Sequence, residues 1–236
     1  MSLTIIKTGD SIPGLTARRG DFEDWILAGM ENGASLSYTI INVRAGEKLP
    51  DFGSLAGVVI TGSHSMVTDH EGWSEKTAAW LAEAAKKEIP ILGICYGHQL
   101  LAYALGGKVG PTPAGPEFGT VKAMLSENAS GDPIFGSLPD AIEVQTSHYQ
   151  SVLELPANSV LLAKTQKDQH SAFRCGKCAW GVQFHPEYDA DIANAYINVY
   201  IGELDKSGAE KPALECKESI YGGAILRKFA ACVFNK

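Results

Sequence analysis

The sequence predicts an α/β fold: a three-layer open sheet, mostly parallel and flanked by helices, with a small antiparallel β insertion and a C-terminal helical tail. Three observations carry this expectation. Short β-branched runs alternate with segments of helical apolar spacing through the first hundred residues, the pattern of strand–helix–strand units around a parallel sheet. Ile91–Ile94 shows no polar alternation, as a strand buried on both faces should. Residues 108–185 then lose helical periodicity and gain turn residues, which suggests antiparallel pairing at the sheet edge.

Taken in order, Leu3–Lys7 reads as a first strand. Phe22–Met30 reads as a helix, with Gly33 as its stop. Tyr38–Val43 and Val58–Thr61 are the next strands, the latter ending in Thr-Gly-Ser. Trp73–Lys87 is Ala-rich and helical, and Trp73 and Trp80, seven apart, are expected to pack against the sheet. Leu100–Leu105 is helical and stops at Gly106-Gly107. Ala190–Leu204 returns to helix, and Lys206–Pro212 reads as a linker. Pro212–Phe234 is expected to be helical, weakened by about 1 kcal/mol at each of Gly222 and Gly223. The expected organisation is one domain over residues 1–205 and a helical extension over residues 206–236 packed on it.

Composition excludes several classes. Lys and Arg number 20 against 27 Asp and Glu, a net charge of −7, which disfavours sequence-independent binding to nucleic acid. With 45% hydrophobic and 20% charged residues the chain is of ordinary globular type. No apolar run approaches the roughly 20 residues that span a bilayer, and the first residues lack a secretory pattern. Five cysteines, an odd count, do not suggest a disulfide framework, so a reducing cytoplasm is the expected compartment.

The most informative segment is Ile91-Leu-Gly-Ile-Cys95-Tyr-Gly97-His-Gln99. A buried strand runs into a helix with almost no loop, and glycines stand two residues before and two after the cysteine. This is the Gly-x-nucleophile-x-Gly pattern of a nucleophile elbow, with Cys in the place of Ser. Such a turn strains the residue at its tip, and flanking residues without a Cβ make room for the crowded backbone. A thiol there sits at the positive end of the helix macrodipole, which favours the thiolate. Open backbone N–H groups at the same terminus can hold an oxyanion, worth roughly 3–4 kcal/mol per donor. Gln99, four residues on, faces the same side and could hydrogen-bond a polar substrate. Taken alone, the pattern fits a buried cysteine before an ordinary turn equally well, so the assignment depends on finding a base.

Of the six histidines, His185 in Trp180-Gly-Val-Gln-Phe-His185-Pro186-Glu187 is the candidate. It alternates with Val182 and Phe184, so it projects opposite that apolar pair. Pro186 keeps it extended, which points Glu187 the same way, where a carboxylate can fix the imidazole tautomer and raise its basicity.

With these pieces in place the chain resembles the class I, triad-type glutamine amidotransferases over about residues 3–204, above all the amidotransferase domain of GMP synthases and their stand-alone relatives. The matching segments are Ile60-Thr-Gly62-Ser63, Gly93-Ile-Cys95-Tyr-Gly97-His-Gln99, Leu105-Gly-Gly107, Glu117-Phe-Gly119, Ser147-His148 and Gly181-Val-Gln-Phe-His185-Pro-Glu187. The resemblance implies a flavodoxin-like sheet and no cofactor. It implies Cys95 as nucleophile, His185 as base and Glu187 as its orienter. It also implies an oxyanion hole from the Tyr96 amide and the Gly62–Ser63 turn, with Gln99 and the Ser147–His148 backbone holding the amino-acid end of glutamine. The sequence departs from the family in three ways. Gly62-Ser63-His64 stands where Gly-Gly-Pro is usual, Tyr149-Gln150 stands where Gly-Asp follows Ser-His in synthases, and no ATP-pyrophosphatase loop is present.

The implied activity is hydrolysis of the glutamine side-chain amide through a glutamyl thioester, with ammonia passed to a separate synthase subunit. The same triad would equally serve a stand-alone hydrolase of γ-glutamyl peptides or amides. A non-catalytic binding protein that retains the fold is a third reading, against which the complete triad argues. Cys175-Gly-Lys-Cys178 lacks a second pair of zinc ligands and reads as a two-residue hairpin turn. No phosphate-loop signature occurs. His148 could be a second base, although its match to the Ser-His loop gives it a backbone role instead; His64 and His70 are expected to be solvated, and Cys216 and Cys232 are expected in the core.

Overall fold

The computed structural model of the protein describes residues 2–31, 37–207 and 216–234. The elements in chain order are β1 (Ser2–Lys7), α1 (Pro13–Arg19), α2 (Phe22–Met30), β2 (Tyr38–Asn42), β3 (Leu55–Ile60), α3 (Gly72–Lys86), β4 (Ile91–Ile94) and α4 (Tyr96–Ala104). There follow β5 (Lys108–Pro111), β6 (Glu117–Leu125), β7 (Ala141–His148), β8 (Gln150–Glu154), β9 (Ser159–Lys164), β10 (Ala172–Cys175), β11 (Ala179–Val182), α5 (Ala190–Ser207) and α6 (Tyr221–Phe234). Gly33, the expected helix stop, lies outside the described residues, as do residues 208–215, which include most of the expected linker.

The nine-stranded sheet has the order β2-β1-β3-β4-β11-β10-β9-β6-β7, and β5 pairs with β8 in a separate antiparallel ribbon. From β2 to β11 every neighbour is parallel. From β11 to β7 every neighbour is antiparallel. The β2-β1-β3-β4 order with β11 in the fifth place is the flavodoxin-like arrangement. The antiparallel region thus extends the main sheet, and only the β5–β8 ribbon stands apart.

Strand residues alternate between two cores. Leu3, Ile5, Val59, Leu92 and Ile94 pack with α2 and α6, while Ile6, Val58, Ile60 and Ile91 pack with α3 and α4. Burial of β4 on both faces explains its unbroken apolar run. Trp73 and Trp80 are partly buried against the second core, as the spacing predicts. Helix α1 was not expected. It is seven residues long and buries Leu15 alone, too weak a periodic signal to read. Helix α4 begins at Tyr96, earlier than the expected Leu100, because Gly97 and Gln99 hide its apolar face. Lys206 and Ser207 belong to α5 rather than to a linker.

Ile225, Leu226 and Phe229 of α6 are fully buried beside Leu3 and Leu92. Gly222, read from sequence as a weak point, has a packing reason. A Cβ there would lie 2.3 Å from the Pro186 carbonyl oxygen, so the helix start presses on the His185–Glu187 segment. A Cβ at Gly223 would meet only the mobile end of Arg227. Gly222→Ala is therefore expected to lower the unfolding free energy by about 1–3 kcal/mol, whereas Gly223→Ala should be neutral or stabilising. Denaturant titration of both variants checks this, and equal effects would contradict it.

Candidate active site

The site is assembled at the carboxyl ends of three adjacent parallel strands, where open α/β sheets bind ligands. Strand β3 delivers Thr61-Gly62-Ser63, β4 delivers Cys95, and β11 leads through Gln183 to His185. Register sets the alignment: Val182 pairs with Ile94, and the Cys95 N–H donates to the Val182 carbonyl at 2.9 Å.

Cys95 has φ 51° and ψ −102°, a conformation that costs a non-glycine residue on the order of 1–3 kcal/mol. Close backbone packing holds it there. A Cβ on Gly93 would sit 2.4 Å from the Gly97 carbonyl oxygen, and one on Gly97 would sit 2.5 Å from that of Ile60. The Gly97 N–H donates to the Thr61 carbonyl at 3.2 Å, tying the elbow to the end of β3. The result aims a buried thiol out of the turn, with Sγ 3.8 Å from the Ser147 carbonyl oxygen, into the cleft it shares with the His185 imidazole, whose titration it influences.

His185 Nδ1 lies 2.7 Å from Glu187 Oε1, which leaves Nε2 for the thiol. Both side chains are buried. Burial opposes a charge on the ring, but the carboxylate of Glu187 and the sulfur of Cys95 outweigh it, and the His185 pKa is pushed up to about 10. The second oxygen of Glu187 accepts no hydrogen bond among the described residues, so little else disperses the charge the ring must balance. Tyr188 stacks on the imidazole, with ring centroids 4.0 Å apart and planes 16° from parallel. Phe22 lies parallel to both rings, and its helix is anchored by Asp21, which accepts from Lys7 at 2.8 Å.

The expected oxyanion residues converge on the same place. Ser63 and Tyr96 line the cleft with Cys95, and neither backbone N–H donates to a protein acceptor among the described residues. Ser63 keeps a negative φ, so a side chain is tolerated where the family has glycine. Gly62 stands against the His185 ring, where a Cβ would be 3.0 Å from Cε1. The Tyr96 side chain is buried away on Ser74, 2.6 Å from its hydroxyl.

Gln99, Ser147 and His148 also line the cleft. Gln99 Nε2 spends both hydrogens inside the protein, on the Gln150 carbonyl at 2.7 Å and Gln183 Oε1 at 3.0 Å. Its oxygen alone is left for a ligand. The His148 ring is not a second base. It is held between the Gln150 carbonyl at 3.0 Å and Glu117 at 3.4 Å, so its position serves the shape of the β7–β8 turn.

Three expectations need correction or addition. His64 is exposed, as expected, and it also lines the cleft edge-on to Tyr196 and Tyr200. Partial desolvation there lowers its pKa and the neighbouring His185 lowers it further. His70 does face solvent, paired with Glu75 at 2.9 Å. The Cys175–Cys178 hairpin has three turn residues, because Cys175 pairs with Ala179. Sequence reasoning missed Tyr188 and the Tyr196–Tyr200 pair altogether, although four-residue spacing on a helix signals one face. Among the described residues no cluster of three metal-ligating side chains occurs, and no helix is long and apolar enough to cross a membrane.

The His185–Glu187 pair makes a prediction with a definite sign. The folded ring value lies above the ordinary 6.5, so its contribution to stability is complete below about pH 6.5 and is lost as pH rises toward 10. Glu187→Gln should bring the ring titration, followed by NMR, back toward its ordinary value and flatten the loss of stability above pH 7. An unchanged titration would show that the carboxylate does not hold the proton.

Comparison with known proteins gives the family and the fold. The family described as glutamine amidotransferase class-I matches residues 26–197. The GMP synthase of Aeropyrum pernix is 38% identical over 142 residues, 60% of this chain and 25% of that one, so the chain spans about a quarter of that relative. Gamma-glutamyl peptidase 5 of Arabidopsis thaliana is 29% identical over 90% of this chain and 87% of its own length. A glutamine amidotransferase structure from Thermotoga maritima has a TM-score of 0.77 at 24% identity, covering 99% of this chain and 98% of that one, which supports the fold. The chain belongs to the class I glutamine amidotransferase family.

Proposed function

We propose that the protein hydrolyses the γ-carboxamide of a glutamyl substrate through a thioester on Cys95. The observation that carries this reading is the meeting of one thiol and one imidazole in a single cleft, with a buried carboxylate on the far side of the ring. Cys95 Sγ attacks the γ-carbonyl carbon, and the N–H groups of Ser63 and Tyr96, with the Gly62 turn, receive the oxyanion. Collapse breaks the carbon–nitrogen bond while His185 Nε2 gives its proton to the leaving nitrogen. The ring, now neutral, takes a proton from water. The hydroxide attacks the thioester, glutamate departs, and the sulfur is restored. Glu187 keeps the imidazole oriented and balances its charge in both halves.

With glutamine as substrate the leaving group is ammonia, which a separate synthase subunit would accept. A second reading, hydrolysis of γ-glutamyl peptides or amides, needs no change in the chemistry because only the leaving amine differs. The near full-length match to a γ-glutamyl peptidase favours keeping it. Glutamate release from glutamine and from a panel of γ-glutamyl compounds tests both. Cys95→Ser should lose at least a factor of about 10³ in kcat. Full activity in Cys95→Ala would overturn the proposal.

A further inference from the structure

An arc of aromatic rings crosses the cleft. Tyr188 stacks on His185, and Tyr196 follows 5.1 Å from Tyr188. Tyr200, farther along α5, lies 6.3 Å from Tyr196. His64, after the β3 turn, meets Tyr196 and Tyr200 at 6.0 and 6.3 Å, and Tyr149, in the β7–β8 turn, meets Tyr200 at 6.1 Å. All of these rings line the cleft that holds Cys95. They join the turn expected to receive the oxyanion to the turn expected to hold the glutamyl end. His64 and Tyr149 stand at 83° and 79° to Tyr200, so each contact covers one ring face at most. His64 is exposed, and Tyr149 and Tyr200 are only half-buried. Aromatic surface of the cleft wall is therefore left in water, and Phe118 supports it from behind at 5.3 Å from Tyr149 and 5.6 Å from Tyr200.

The charge pattern of the cleft is equally one-sided. Among the described residues no Lys, Arg, Asp or Glu lines it. The amino-acid end of the substrate has the Gln99 oxygen and backbone groups to meet it. A charge carried by the amine would meet rings and no counter-charge, and would lose hydration without return. A flat, uncharged amine would instead cover ring surface that water now touches. His185 protonates the departing nitrogen, so the substituent on that nitrogen starts beside His185, Tyr188 and Tyr196 and leads on to Tyr200 and His64. We propose that His64, Tyr149, Tyr196 and Tyr200 form an aromatic collar for the amine side of the substrate, so that the site prefers γ-glutamyl amides of uncharged arylalkyl amines to glutamine and to γ-glutamyl amino acids. Ammonia is too small to use the collar. This inference rests on the assignment of Cys95 and His185 made above and deepens its second reading.

The test separates binding from turnover. With the Cys95→Ala protein, calorimetry would compare glutamine, γ-glutamyl-phenethylamide and γ-glutamyl-phenylalanine, which adds a carboxylate beside the same ring. The phenethylamide is expected to bind at least about tenfold tighter than either of the others, the lower end of what covering one ring is worth. Glutamine binding as tightly as the phenethylamide would overturn the collar, and so would a dipeptide that binds as tightly or more tightly. With Cys95 intact, Tyr149→Ala and Tyr200→Ala should each lower the ratio of kcat/KM for the phenethylamide to that for glutamine by at least about fivefold. Tyr200→Phe keeps the ring and should keep the ratio. An unchanged ratio in both alanine variants, or its loss in Tyr200→Phe, would also overturn the collar. Selective binding of the phenethylamide without hydrolysis of any of the compounds would support the collar and refute the thioester assignment. Hydrolysis of all three through Cys95 without preference would do the reverse.

Discussion

Everything at the site depends on one strained residue. Cys95 occupies a left-handed conformation at the junction of β4 and α4, and it can do so because two glycines let three backbone segments touch. Gly93 meets Gly97, and Gly97 meets the end of β3. That contact fixes the direction of the sulfur and the start of α4 together, and brings the β3 turn alongside. The strain is compensated by the surrounding sheet, which is parallel on both sides of β4. Neighbouring strands therefore end at one level, and their loops meet over the thiol.

The electrostatics follow from burial. The carboxylate of Glu187 and the imidazole of His185 are removed from water together, so each depends on the other. Around them runs a second, largely neutral network. The Gln99 side-chain amide ties the Gln150 backbone carbonyl to the Gln183 side chain, and Thr165, Glu117 and His148 lead from β6 to the β7–β8 turn. These groups hold the Ser147 carbonyl against Cys95. They explain why so many polar side chains are buried on one side of an otherwise apolar sheet.

Local signals made much of this legible. The unbroken apolar run of Ile91–Ile94, the glycines flanking Cys95 and the His-Pro-Glu sequence each state a backbone requirement that needs no knowledge of distant residues. What escaped reading is long-range. Antiparallel pairing at the sheet edge is legible, but the strand order β10-β9-β6-β7 has no signature in any one segment. Gly222 looked like a weak helix residue because its neighbour, Pro186, is 36 positions away in sequence. The place of His64 beside the cleft escaped notice because the tyrosines that face it lie on α5. Tyr188 and Tyr196 drew no notice because nothing local in the sequence marks them as neighbours of His185 and of each other.

The account is tested most directly by mass spectrometry of enzyme quenched during turnover of a γ-glutamyl substrate. The prediction is a glutamyl mass increment on the peptide that contains Cys95, absent when that residue is Ser. An increment on Cys175, Cys178, Cys216 or Cys232 instead, or turnover with no acyl-enzyme at any quench time even when Glu187→Gln slows its hydrolysis, would contradict it.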